Sequence, residues 1–456
     1  MMTIRTLAVA VAGVAAASVW AKDFDVRAYG AKGDGKTDDT VAVQKAIDAC
    51  SADGGGRVVV DKGAFLIRPI YLKDGVDLHV ERNAKLLSSN NHEDFKSRDN
   101  LKHVIGKNMC RGRDSALITA DEVHGVSITG NGMIDGNADA FVRLLPEEQW
   151  GKWRYERIGG WDQSPPRIVL FAGCTDVTVA DITITNQPSC WAYMIHDCDR
   201  VIFDRAKVIA NIYHPNNDGL HFNCCRDVSV SNCRVEVGDD ALIVRANGHP
   251  NRDGKGRPCE RVTVTNCRLR GYTDCIRLAW CRDGVIRDCT FSNITMVDAC
   301  RGICMWMFDK DPGPGYDTGI EKTVIENIVF SNIVMDRIHT YPITIATTEA
   351  SEWLDRVKNV SFANIIARAY AAPEFVGSKE HPLENFSFTG CRFVRSDAPD
   401  VRPPWIKEQE PRLRDKVPSV IRQGFGWGGI PHANGGNPFF NCRNFTFNGC
   451  SFEDID

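Results

Sequence analysis

Three aspartates carry the chemistry this sequence could do: Asp218 in Asn216-Asn217-Asp218-Gly219, and the pair in Gly238-Asp239-Asp240-Ala241. Their offsets are 239 − 218 = 21 and 240 − 218 = 22 residues. If the chain coils with a repeat near that length, Asp218 and Asp240 occupy equivalent places on adjacent strands, about 4.8 Å apart, with Asp239 flanking them. Hydrolysis of a glycosidic bond needs one protonated carboxyl for the leaving oxygen and one ionised carboxylate to activate water or attack carbon. Crowded carboxylates supply both forms, because like charges raise at least one pKa. A lone aspartate in such a chain decorates a turn; three brought together by register point to catalysis.

The elements that must position them are legible as a repeat. CTDVTVADITI begins at 174, CDRVIFDRAKV at 198, CRDVSVSNCRV at 225, CERVTVTNCRL at 259 and CRDGVIRDCTF at 281, spaced 24, 27, 34 and 22 residues apart. Further copies start at 357, 383 and 442. Apolar residues alternate within each copy, the mark of a half-buried strand. Seven residues after each start stands a residue tolerant of left-handed backbone, namely Asp181, Asn232, Asn266, Asp288, Asn364, Gly390 or Gly449, with Arg205 the exception. Strand, turn and strand at this period coil into a solenoid. The expected fold is all-β, a single-domain right-handed parallel β-helix over 22–456. Asp38 to Cys50 reads as a helix capping its N-terminal end, with Val41, Val43 and Ile47 apolar. The stretches 141–166, with Trp150, Trp153 and Trp161, and 394–441, rich in Pro and Gly, break the repeat and are expected to wall a cleft.

Bulk properties narrow the classes. A formal net charge of −4 with pI near 6.3 gives no nucleic-acid footprint. Residues 1–21, with Arg5, an apolar run and Val19-Trp20-Ala21, read as a signal peptide, and no later stretch could span a bilayer. A secreted or periplasmic monomer is expected, with a polysaccharide or oligosaccharide substrate and no cofactor or metal. The 18 cysteines fall into columns. Cys174, Cys198, Cys225, Cys259 and Cys281 begin copies, while Cys233, Cys267, Cys289, Cys391 and Cys450 recur at a second place. That suggests buried stacks of free thiols rather than a disulfide framework.

The sequence resembles glycoside hydrolase family 28, the polygalacturonase and rhamnogalacturonase group, over nearly all of the mature chain. The similarity lies in GAKGDGKTDDTVAVQKAIDAC with GGGRVVVDKGAFL (30–66), ITADEVHGVSITGNGMIDG (118–136), NNDGLHF and GDDALIVR. The resemblance implies catalysis with inversion, Asp239 being the general acid and Asp218 and Asp240 the bases that activate water. Asn216 matches the Asn of the family's Asn-Thr-Asp motif, and Asn217 replaces its Thr. Asp274 falls where the Gly-His-Gly motif has histidine, and Cys304 and Trp306 fall where the Arg-Ile-Lys motif has its cations.

Counting along the strands, His221 and Arg277 share an outward row, Asn223, Arg245 and Trp306 share the next, and Arg301 continues the row of Asp218, Asp240 and Asp274. Asn216, His221, Arg245, Asp274, Arg277, Arg301 and Trp306 are therefore the expected substrate contacts, Trp306 by stacking on a sugar face and the arginines by pairing with a uronate carboxylate. A pectic or related uronate-containing glycan other than plain polygalacturonate is the expected substrate. Two other readings stand beside hydrolysis. One is a uronate lyase or epimerase, with Asp274 completing an acidic nest for calcium; the other is a non-catalytic carbohydrate-binding or adhesive β-helix.

Overall fold

A computed structural model of the chain describes residues 22–95, 116–159, 167–246, 256–280, 283–307, 322–347, 353–402 and 439–455. The stretch read as a signal peptide, Trp161, Cys281 and most of the Pro/Gly-rich stretch lie outside the described residues. What is described is the expected parallel β-helix. One sheet of 11 strands forms the front, running from Ile70–Leu72 through Leu220–Asn223, Leu242–Arg245, Asp274–Leu278 and Arg301–Trp306 to Phe439–Phe440. A second sheet of 23 strands forms the remaining faces. Successive coils pair in parallel, as in Leu220↔Leu242 and Leu242↔Ile276.

The reason is local. Val228 and Val230 point into the core while Asp227 and Ser229 face solvent, so this strand of the second sheet buries one side only, whereas front strands such as Leu220–Asn223 and Arg301–Trp306 are buried on both. The chain then bends where left-handed backbone is tolerated. Asp181, Asn232, Asn266, Asn364, Gly390 and Gly449 all have φ between 54° and 65°, and Arg205 joins them at 52°. Arg205 is held there by two bonds to Asp181, 2.7 and 2.9 Å long.

Asp288 is a correction. Register pairs Cys259 with Ile286 rather than with Cys281, so the fifth copy begins five residues later than its cysteine suggests. Asp288 is left-handed at a different bend, and Asn293 takes the expected turn position at φ 55°. Cys289 consequently leaves the column of Cys233 and Cys267, where Ile294 stands instead. A further copy starts at Ile325, paired with Ile286.

The described cysteines are free. Cys174, Cys198, Cys225 and Cys259 stack as buried thiols at the starts of successive strands of the second sheet. The capping helix runs from Thr40 to Ala52 and buries Ala42, Val43, Ala46, Ile47 and Cys50, whereas Val41 faces solvent. No helix among the described residues is long and apolar enough to cross a membrane.

Candidate active site

The front sheet carries an outward column that reads Arg167, Trp191, Asp218, Asp240, Asp274, Arg301. Each step follows from the ladder: Ile168 N–H donates to Trp191 O, Ala192 N–H to Asp218 O, Gly219 N–H to Asp240 O and Ala241 N–H to Asp274 O, and Asp274 pairs with Arg301. Asp218 and Asp240 are therefore neighbours on adjacent strands, in the register the 22-residue offset gives. Both are about 5% exposed. Each keeps one carboxylate oxygen, Oδ1, buried and without a protein donor among the described residues.

Asp239 sits at the rim of this pair. Its Oδ2 accepts from the backbone N–H and the side-chain Nδ2 of Asn216, both at 3.2 Å. Asn216 can aim both donors because its backbone is left-handed, φ 53°. Asn217 plays a structural part: its Oδ1 accepts from Gly238 N at 2.7 Å and its Nδ2 donates to Asn211 O at 2.8 Å. Gly238 is required there, since a Cβ would come within 2.6 Å of Asn217 Oδ1. The asparagine that replaces threonine thus locks the turn that delivers Asp239.

Burial, then the charges of Asp239 and Asp240, push the Asp218 carboxyl well above the ordinary carboxyl range. Burial, then the charges of Asp274 and Asp239, do the same to Asp240, with Arg277 and Arg301 pulling it back. Carboxyls this close titrate as a set and share protons, so the cluster holds both a proton to give and a charge to activate water.

The expected substrate contacts separate into two groups. Asn216 stands at the rim of the cleft. His221 is 1% exposed, its ring stacked on Trp191 at 3.8 Å and 14°, with Nε2 2.9 Å from Asp218 Oδ2. Burial, then Arg245 and Arg167, hold its pKa well below the usual imidazole value, so it is a neutral partner of Asp218.

Arg245 shares the row of Asn223 as expected, but it is ion-paired with Asp283 at 2.5 Å, its guanidinium 4.3 Å from the Trp280 ring. Arg277, 3% exposed, donates to Trp306 O at 2.7 Å, to Cys304 Sγ at 3.1 Å and to Asp274 at 3.3 Å. Arg301 grips both oxygens of Asp274. Asp274 is fully buried; burial would raise its pKa, but Arg301 and then Arg277 outweigh that and hold it ionised. Trp306 is 7% exposed and packs with Cys304, Ala346 and Val376. Asp274, Arg277 and Trp306 are thus spent on one another rather than presented to solvent, and Asp274 is paired with guanidiniums where an acidic nest would have held calcium.

Residues the sequence did not single out complete the site. The stretch expected to wall the cleft forms an antiparallel hairpin, Val142–Leu144 with Tyr155–Arg157. From it Trp153 Nε1 donates to Gly238 O at 3.0 Å, and the buried Lys152 ammonium donates to Thr273 Oγ1. The hairpin therefore closes on the residues just before Asp239 and Asp274. Arg167 lies over the outer face of Trp191, 4.6 Å from the ring centroid. Trp191 and Arg167 could have been found by stepping one and two coils back from Asp218; Lys152 lies in no repeat and gave no signal.

The model of glycosyl hydrolases family 28 matches residues 50–251, a stretch that contains all three aspartates and the Asn216–Gly219 turn. Over that stretch the chain is similar to glycoside hydrolase family 28. Among its relatives, a probable polygalacturonase of Arabidopsis thaliana is 24% identical over 339 residues, 68% of this chain and 67% of that one. An exo-poly-alpha-D-galacturonosidase of Dickeya chrysanthemi is 28% identical over 256 residues, covering 48% of this chain and 41% of its own length. The structure of a family 28 exopolygalacturonase from Yersinia enterocolitica superposes with a TM-score of 0.65 at 17% identity, over 82% of this chain and 72% of that one, and shares its fold.

Proposed function

We propose that this protein belongs to glycoside hydrolase family 28 and hydrolyses the glycosidic bonds of a pectic, uronate-containing glycan with inversion of configuration, and that it does so after export. Asp239 is the general acid and Asp218 and Asp240 activate the water. The observation that carries this reading is the column in which Asp218 and Asp240 meet on adjacent strands with Asp239 held at their rim by Asn216. A water bound between the paired carboxylates attacks the anomeric carbon while Asp239, on the solvent side, protonates the leaving oxygen. His221, neutral and fixed by Trp191, orients the Asp218 carboxylate.

The substrate class rests on the relatives, which include enzymes named for polygalacturonate and for exo-action on galacturonan. Arg245, Arg277 and Arg301 are each engaged by protein acceptors, so a long polyanion gains little from them. Short galacturonides or rhamnogalacturonan fragments should therefore have a higher kcat/KM than long polygalacturonate. Proton NMR of the first anomer released tests the mechanism: inversion is expected, and initial retention would defeat it. Failure to cleave any of the three substrates would defeat the hydrolase reading.

A further inference from the structure

The column beyond Asp240 holds three buried charges that the hydrolytic step does not use. Asp274, Arg277 and Arg301 are 0%, 3% and 6% exposed. Burying ions is costly even when they are paired, and here the sum, two guanidiniums against one carboxylate, leaves one positive charge over. That surplus sits one strand from Asp240, because Asp274 is Asp240's neighbour in the column and Arg301 is the next residue along. Arg301 takes both oxygens of Asp274, and Arg277 braces the arrangement by tying Asp274 to Trp306 O and Cys304 Sγ.

We propose that Asp274, Arg277 and Arg301 form a buried charge-setting triad for Asp240, positioning residues that keep net positive charge beside that carboxylate and make no contact with sugar. The proposal rests on the reading of Asp240 as a water-activating base. Burial, then the charges of Asp274 and Asp239, favour a protonated Asp240, and without the two guanidiniums as counter-charge it would be held protonated where a base must be ionised. Asp274 serves as the clasp: it fixes both guanidiniums while cancelling only one of them.

Every charged or titratable group facing Asp240 bears on this balance. Asp218 faces it from the preceding strand, Asp239 from its own turn, and Asp274, Cys275 and Arg277 from the following strand. Arg301 and Cys304 face it from the strand after, and the Lys152 ammonium acts on Asp274 from the hairpin. Burial keeps the thiols of Cys275 and Cys304 neutral, each pushed up to about 12, which leaves the two arginines as the groups that oppose protonation of Asp240.

The test reads Asp240 directly and independently of turnover. The side-chain carboxyl carbon of Asp240, identified in aspartate-labelled protein by its loss in Asp240→Asn, is titrated by NMR in wild type and variants. Asp274→Asn leaves two unopposed guanidiniums and should lower the Asp240 midpoint by about one pH unit; Arg301→Gln leaves Asp274 uncompensated and should raise it by about as much. Arg301→Lys should stay near wild type, and Arg277→Gln should also raise the midpoint, which covers the case in which Arg301→Gln does not fold. The acid limb of kcat/KM should follow the same opposite displacements, with KM on a short galacturonide within about twofold of wild type.

Midpoints that move in one direction in both charge variants, or that do not move, overturn the triad. So does a tenfold rise in KM at an unmoved midpoint, which would place the arginines against the sugar. A wild type that releases no sugar from any pectic glycan overturns the hydrolase reading alone, because the NMR midpoints still decide the triad.

Discussion

The flank and the front of this coil stack their side chains in opposite ways. Inside the flank, like sits on like: Phe291, Phe330, Phe362 and Phe388 form a ladder with centroids 4.9, 5.1 and 5.0 Å apart and planes within 15° of parallel. Outside it, Asn327, Asn359, Asn385 and Asn444 pass amide hydrogen bonds from rung to rung at 3.0 Å. Both arrays use neutral groups whose self-association is favourable, so repetition itself stabilises the fold. In the front column the repeated type is aspartate, with Asp218, Asp240 and Asp274 in succession; Asp274 is neutralised by Arg301 and Arg277, whereas Asp218 beside Asp240 is a buried like-charge contact that opposes folding. The difference teaches where to look in a solenoid: stacks that repeat hold the coil together, and a stack that repeats at a cost marks the site.

The largest effect expected from that contrast is on turnover. Asp239→Asn should lower kcat by roughly 10²–10⁴-fold without changing the fold. A variant that keeps a tenth or more of wild-type kcat on a substrate with a poor leaving group would remove Asp239 from the acid role. Next comes the flank. Phe362→Ala opens a cavity in the phenylalanine ladder and should cost about 3–5 kcal/mol in denaturant unfolding. If the loss is below about 1 kcal/mol, the ladder is not the stabilising array described here.

A smaller effect of opposite sign is expected in the front column. Asp218→Asn should abolish turnover yet raise Tm slightly, by about 1 °C for each kcal/mol of repulsion relieved in a chain of this length. The pH dependence fixes the sign. Asp218 and Asp240 have folded-state pKa values raised above the ordinary 3.8. Their contribution to stability is thus fully present below that value and is lost as pH rises through the folded-state values. Wild type should therefore lose more Tm than Asp218→Asn on going from acid to neutral pH; parallel curves would show that the like-charge contact is not felt. The smallest effect belongs to the asparagine ladder, where Asn359→Ala removes two exposed amide bonds, to Asn327 and from Asn385, and should cost about 1–2 kcal/mol. A change in activity per folded molecule would show that flank and front are coupled.

Much of the coil was readable because one physical event recurs at each rung. A left-handed bend favours Asn, Asp or Gly, so the positions of Asp181, Asn232, Asn266 and Asn364 announce it. Misreading came where a residue type imitated the pattern. Cys281 resembled the start of a copy and displaced Asp288 and Cys289 by five residues, whereas the true rung begins at Ile286. The copy at Ile325 carries the same signal, since Asn332 takes its bend at φ 54°.

What the sequence by itself determined is register: two offsets, 21 and 22 residues, put Asp218, Asp239 and Asp240 together, because in a parallel coil the spacing along the chain is also the spacing between strands. It placed His221, Arg277, Arg245 and Trp306 in their rows for the same reason. Only the tertiary structure decided what those rows face. Arg277 points outward from its strand and is nonetheless buried, tied to Trp306 O and Asp274, and the hairpin that carries Lys152 and Trp153 closes over Thr273 and Gly238. Periodicity tells which side of a sheet a residue lies on, but whether that side is open depends on irregular segments, and their course is set by packing and ion pairs that no repeat encodes.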